Sequence, residues 1–407
     1  MFANPIFVET EVDELQLNGQ CSLREALSNA QTNTSFWADC EGGSMLEPDV
    51  IRFDASMINK TIELNSDLPV IGGSLRIIGL EDDGPAITID GMNQFSLIRV
   101  EDADLIELQD LVLTRGRSSG SAGAIDAPNS MELILRRTWI LNNNSTNAPT
   151  IEFNTAELSD AAITIVDSVL RGNSADVPGP GKILRIRDSA VLIDRSEISA
   201  NTGSGPSTGI LHFRGSQLTM INSTLSDNYL RNNAGGSAFY LSDSHAEVLH
   251  VTIAGNRSDS SNAHSVFLNE SKPGSASLNI LNSILIKQTD SDAVCGALTT
   301  SEMPWTESGS LSTDPDCLQN SVTVAINDLA LSTLADNGGL SKTHALGLAS
   351  IAIDAAGECT AVDPAITVDQ RSSVRPGTNS AACDAGAYEA QLPADSIFKD
   401  RFEDLFD

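Results

Sequence analysis

AAITIVDSVLRGNSA (161–175), AVLIDRSEISANTG (190–203), QLTMINSTLSDNYL (217–230) and AEVLHVTIAGNRSD (246–259) are four copies of one pattern. Each copy has a short apolar strand, a polar corner, a second short strand and then Asn. The closing residues Asn173, Asn201, Asn228 and Asn256 step by 28, 27 and 28. The corner residues Asp167, Arg195, Asn222 and His250 keep the same step, with Asp110 and Arg137 upstream and Asn282 downstream at looser spacing. A second strand family interleaves: KILRIRDS (182–189), ILHFRGS (210–216), AFYLSDS (238–244) and SVFLNES (265–271), each closed by a serine. Alternation of apolar and polar residues within runs bounded by Asn, Asp, Gly and Ser is a strand-and-turn signature.

A period of about 27 residues holding three short strands is too short for a propeller blade of about 40. It also lacks the Leu/Asn pattern of a leucine-rich repeat. The reading is all-β: a right-handed single-stranded parallel β-helix, a pectate-lyase-like solenoid, with rungs about 4.8 Å apart. Ile165, Ile193, Met220 and Val248 are expected to stack in its core. Asn is expected at the corners because it tolerates the left-handed conformation and bonds its own backbone.

Composition agrees. The chain has 407 residues, 41% hydrophobic but only 4% aromatic, so the core must be aliphatic. Asp plus Glu number 55 against 24 Lys plus Arg, a net charge of −31. That argues against nucleic acid and anionic membrane surfaces as partners. No apolar run is long enough for a membrane span. MFANPIFVETEVDE at the start does not read as a secretory signal.

The six cysteines have no zinc-type spacing and fall into three local couples, Cys21 with Cys40, Cys295 with Cys317, and Cys359 with Cys383. Locality is the ground for expecting those three disulfides, and disulfides imply an oxidising compartment. The expectation is a secreted or outer-surface protein whose signal was replaced by an initiator Met. NGQCSLREALSNAQ (18–31) reads as a short capped helix: Ser22 and Glu25 form a capping box, and Leu23, Ala26, Leu27 and Ala30 make one apolar stripe. A rung stack ends in an open edge that needs a lid, and this helix, pinned by Cys21–Cys40, is the expected N-terminal one. The expected organisation is a cap over 1–48, rungs over 49–290, a disulfide-stabilised C-terminal region over 291–392 and an acidic tail over 393–407. Two lids would favour a monomer.

CSLREAL (21–27), with FDASMINKTIELNSDLPVI (53–71), resembles the bacterial CSLREA-domain proteins. LADNGGLSKTHALGLASIAIDAAGECTAVDPAITVDQRSSVRPGTNSAACDAGAYE (334–389) resembles their choice-of-anchor Q region, with Ser372 where Gly usually follows DQR. The tail DSIFKDRFEDLFD resembles a short C-terminal segment of some exported proteins, with Arg401 in place of Gly. The resemblance implies an exported, often surface-associated β-helix protein.

If the strands alternate as read, Glu152, Arg185, His212, Tyr240 and Phe267 form an outward column, with Arg187 and Arg214 beside it. Aromatic faces and guanidinium groups suit stacking and hydrogen bonding to a polysaccharide or other surface glycan. The binding or structural role is therefore set on this face. The alternative is a polysaccharide lyase or glycoside hydrolase, with His212 or Tyr240 as base and Arg185 or Arg214 stabilising the enolate. An exposed ladder is what either reading needs; the bland alternative is a strip covered by loops. His250 reads as a turn residue, His245 and His264 as exposed, and His344 as structural. Asp354, Asp369, Asp384 and Glu389 would bond backbone, Arg371 and Arg375, or else bind Ca²⁺, the one cofactor the acidity admits; no other metal is expected. GRSSG (116–120) and GPSTG (205–209) match the nucleophile-elbow letters but precede no helix, so they read as loops.

Overall fold

The computed structural model describes residues 4–45, 48–154, 161–176, 182–205, 208–231, 235–259, 264–287, 293–298, 305–317, 322–356, 359, 365–378, 380 and 382–391. They form a parallel β-solenoid. Three sheets run along it, a broad one of 20 strands, a narrow one of six and a ladder sheet of eight.

One rung shows the plan. Ala190–Asp194 and Glu197–Ser199 lie in the broad sheet, Thr202–Ser204 in the narrow sheet and Gly209–Arg214 in the ladder sheet. The rung therefore has four strands, one more than the repeat suggests. Each pairs in parallel with its counterpart in the next rung, as in Ala190↔Gln217, Glu197↔Thr224, Thr202↔Tyr229 and Leu211↔Phe239. Ile165, Ile193, Met220 and Val248 stack in register at 0–1% exposure. Phe153, Phe213 and Phe239 are the largest fully buried side chains.

The corner and the Asn positions divide two tasks that the repeat alone assigns to Asn. Left-handed backbone falls on the corner column, with φ of 52° at Asp167, 44° at Arg195 and Asn222, and 51° at His250. It also falls on the residue before each Asn: Gly172, Ala200, Asp227 and Gly255. The Asn residues themselves form a buried ladder. Nδ2 of Asn143, Asn173, Asn201 and Asn228 each donates to Oδ1 of the next, at 3.0, 3.0, 3.0 and 2.8 Å. Each Nδ2 also donates to a carbonyl of the preceding rung, as Asn201 does to Leu170 at 2.8 Å. Buried amides whose donors and acceptors are all used add stability instead of a desolvation cost.

The stack extends past both expected boundaries. Ile6–Val8 already pairs with Asp49–Phe53, and Ala293–Leu298 continues the ladder sheet beyond residue 290. The helix Leu23–Thr32 forms as expected: Ser22 Oγ accepts from Glu25 N, and Glu25 Oε2 accepts from Ser22 N at 3.0 Å. Leu23, Ala26, Leu27 and Ala30 are buried. All three disulfides have the expected partners.

The C-terminal region departs from the lid expected of it. It lies along the side of the solenoid as a strap. Lys342 N donates to Glu197 Oε2 at 2.8 Å, Thr224 Oγ1 to Gln370 Oε1 at 2.6 Å and Ala387 N to Thr252 Oγ1 at 3.0 Å. Glu197, Thr224 and Thr252 are outward neighbours on successive rungs. Further along, Ala254, Ile284 and Leu311 pack on Leu329, Leu346 and Ala385 of the strap. The outward side of these strands changes along the stack, and the strap meets Glu197, Thr224 and Thr252 with hydrogen bonds and covers the apolar Ala254, Ile284 and Leu311 by packing.

Candidate functional site

The ladder sheet places the outward column as the spacing requires. Cα partners run Arg99↔Asp126, Asp126↔Glu152, Glu152↔Arg185, Arg185↔His212, His212↔Tyr240 and Tyr240↔Phe267. Arg187 and Arg214 pair in the adjacent column. The inward neighbours Leu211, Phe213, Phe239 and Leu241 are fully buried, so the register cannot slip without turning the core outward.

The column has two halves. The first is ionic. Arg185 Nη2 bonds Glu152 Oε1, while Arg185 Nε is buried without a partner. Burial raises the Asp126 carboxyl above its usual range, with Glu152 adding to the effect. Lys182, missing from the sequence-derived set, is buried beside them, and its amine is lowered to about 8 by desolvation and then by Arg185 and Arg187. Burial, followed by Arg185, likewise lowers Arg187. The signal was three cations within six residues of KILRIRDS.

The second half is aromatic. His212 and Tyr240 have ring centroids 4.9 Å apart, and Tyr240 and Phe267 stack at 5.4 Å with planes 13° apart. His264 tilts onto Phe267 at 5.2 Å. The expectation of an exposed ladder is corrected here: Tyr240 is 3% and Phe267 6% exposed. Tightly stacked rings remove their own faces from solvent, and the partly or fully exposed candidates that remain are Glu152, Arg185, Arg187, His212 and Arg214. Desolvation pushes His212 down to about 3, and Lys182, Arg187, Arg185 and Arg214 push the same way. Its ring is neutral in the folded protein, with Nδ1 3.2 Å from Thr208 Oγ1. Desolvation raises the Tyr240 phenol.

The other candidates fall into structural roles. Asp369 accepts from Arg371 Nε at 2.9 Å and from the backbone of Arg371, Ser373 and Glu389. Glu389 accepts from Arg375 Nη1 at 2.7 Å, Gly377 N at 2.7 Å and Asp384 N at 3.0 Å. Asp384 accepts from Asp354 N and Ala390 N. These carboxylate oxygens are taken up by N–H donors, and among the described residues no group of three or more His, Cys, Asp or Glu is placed to hold a metal ion.

His344 donates from Nδ1 to Ser332 O at 2.7 Å and bonds Ser226 Oγ through Nε2 at 2.9 Å, tying strap to solenoid. His250, besides turning the corner, bonds Asp384 O through Nδ1 at 3.2 Å and Asn282 Nδ2 through Nε2 at 3.1 Å. His245 is exposed, as expected, while His264 is half-buried. GRSSG includes the narrow-sheet strand Arg117–Ser119; GPSTG and the acidic tail lie wholly or partly outside the described residues.

Two cavities bear on the cap helix and the strap. The larger, about 390 Å³, lies beside the cap helix, with Leu27, Ala30, Pro69, Ile71 and Leu105 in its lining. The smaller lies at the edge of the strap. Among the described residues no helix is long and apolar enough to cross a membrane. No family model matches the chain, and no curated protein matches it.

Proposed function

We propose that this chain is an exported or cell-surface β-helix protein that binds an acidic glycan on the ladder sheet, over Glu152, Arg185, Arg187, His212 and Arg214. The observation that carries this reading is a concentration of cations. Lys182, Arg185, Arg187 and Arg214 all act on His212 in a chain whose net charge is −31. Gathering like charges costs energy, and an anionic ligand would offset that cost. The buried, unpartnered Arg185 Nε is a donor such a ligand would use. The three disulfides fit an oxidising compartment, and the resemblance to CSLREA-domain proteins belongs to the same proposal.

Binding is favoured over lyase chemistry by the state of the two candidate bases. An imidazole with a pKa near 3 takes up a proton poorly at neutral pH, and Tyr240 is buried. The test is retention on immobilised polygalacturonate with salt elution. The wild type is expected to be retained at low salt and released as salt rises, with Arg185→Ala/Arg214→Ala passing through. Equal retention of wild type and variant, or none by the wild type, overturns the proposal. Release of unsaturated ends absorbing in the ultraviolet would restore the lyase.

A further inference from the structure

We infer that the notch between Trp139 and the strap hairpin is a second binding site, built for a single acidic sugar ring. It shares no residue with the ladder and stands without it.

The notch is where the strap's cover ends. On the broad sheet, the outward column runs Trp139, Val169, Glu197, Thr224. From Glu197 onward it lies beneath the strap, whose edge is fixed by Lys342 N on Glu197. Val169, one rung before Glu197, is still covered at 1% exposure; the cover stops at half-buried Trp139, and a cavity of about 200 Å³ remains beside it, lined by Trp139 and Arg171 of the sheet, Asp83 of a neighbouring turn, and Asp336, Gly339 to Lys342 of the strap. That volume is below the range for drug-sized ligands and suits one ring.

The walls are held in place. Gly84, at φ 145°, lies so close to the indole that a Cβ there would meet Trp139 Cζ2 at 3.2 Å. Gly339, at φ 82°, is pressed on Arg371, where a Cβ would meet Cα at 2.8 Å. Arg371 is bonded to Asp369 and lies 3.6 Å over the Tyr388 ring. Asn337 Nδ2 closes the hairpin on Thr343 O at 2.8 Å. Positions fixed before binding spare a ligand the cost of ordering them.

The chemistry of the lining is specific. The indole offers an apolar face, and its Nε1–H is buried without an acceptor. Arg171 is held through Nε at 2.7 Å and through Nη2 by Glu197, which leaves Nη1 for a ligand. Among the described residues no carboxylate pairs with the Lys342 ammonium. Asp83 and Asp336 supply acceptors. A hexuronate matches this set: its C–H face on Trp139, its carboxylate on Lys342 and Arg171, its hydroxyls on the two aspartates. Arg171 already has Glu197 as its counter-charge, so a neutral hexose leaves the Lys342 ammonium unanswered, and an aromatic acid leaves the aspartates unanswered.

The test is a titration of the full chain with galacturonate and, in parallel, galactose, read by tryptophan fluorescence. The chain has three tryptophans, and among the described residues Trp139 is the one that lines the notch. The expected result is a saturable change with galacturonate, at least five-fold weaker with galactose, absent in Trp139→Phe and at least five-fold weaker in Lys342→Ala. Among the described residues the Lys342 side chain makes no hydrogen bond or ion pair, so this second variant decides if Trp139→Phe fails to fold. No saturable change, equal affinity for galactose, or a wild-type response in Lys342→Ala overturns the inference. Loss of the response in Arg185→Ala/Arg214→Ala places binding on the ladder and also overturns it.

Discussion

Replacing Asn201 by alanine probes the solenoid's spine. Asn201 is fully buried, and its side chain makes four hydrogen bonds. It donates to Leu170 O at 2.8 Å and Asn228 Oδ1 at 3.0 Å, and it accepts from Asn173 N and Asn173 Nδ2, both at 3.0 Å. Two partners keep other bonds after truncation: Asn228 Oδ1 still accepts Asn201 N at 3.1 Å, and Asn173 Nδ2 still reaches Ile140 O at 2.8 Å. The Asn173 amide and the Leu170 carbonyl lose their side-chain partner. At about 1–3 kcal/mol for each stranded buried group, the loss is about 4 kcal/mol. In Asn201→Ala/Asn228→Ala the bonds between the two residues are removed once, so the double variant should lose about 1 kcal/mol less than the sum of the singles. Guanidinium unfolding reads the total. Hydrogen exchange at the Asn173 amide reads the local effect, which matters because repeat arrays need not unfold in one step. A loss below about 0.5 kcal/mol with unchanged exchange at Asn173 would refute the ladder as a stabilising element.

Three further outcomes follow from the same contacts. Burial depresses His250 to about 3, so between roughly pH 3 and 6.5 the unfolded chain binds the extra proton and stability falls on acidification, by about 1.4 kcal/mol per pH unit. His250→Asn, the residue type at the equivalent corners 222 and 282, should remove that part of the slope, and an unchanged slope in pH-dependent denaturation would contradict it. Glu197→Gln weakens the charged clamp on Arg171 and its acceptor for Lys342 N, at about 3 kcal/mol; faster exchange at Lys342 is the expected sign, and unaltered protection counts against the strap contact. Cys21→Ser/Cys40→Ser opens a loop with a sequence separation of 19, costing about 3 kcal/mol. Exchange over Leu23–Thr32 should rise, and a helix equally protected without the bridge would show that its apolar stripe suffices.

What the sequence disclosed was whatever repeats with the rung. Inward positions such as Ile193 and Phe213 were legible because burial imposes period-two alternation at a fixed step. The outward column was legible for the same reason. The fourth strand, such as Thr202–Ser204, was hidden because the run Thr-Gly-Ser carries no apolar alternation. The left-handed reason holds for the corner residues Asn222 and Asn282, while the closing Asn column serves a hydrogen-bond ladder that favours the same residue type and so was not told apart from it. The burial of Tyr240 and Phe267 depends on ring stacking between rungs, and the strap's position on contacts such as Thr224 with Gln370, 146 residues apart. Neither is a local property. Lys182 stood in a quoted strand, but its burial was invisible there.

The ladder's function is tested most directly by hydrogen–deuterium exchange of the full chain with and without a galacturonate oligomer. Binding on the ladder sheet predicts slower exchange confined to Leu184–Arg187 and Gly209–Arg214, abolished by salt and by Arg185→Ala/Arg214→Ala. Protection elsewhere with these two strands unchanged, or the same protection in the variant, would contradict it.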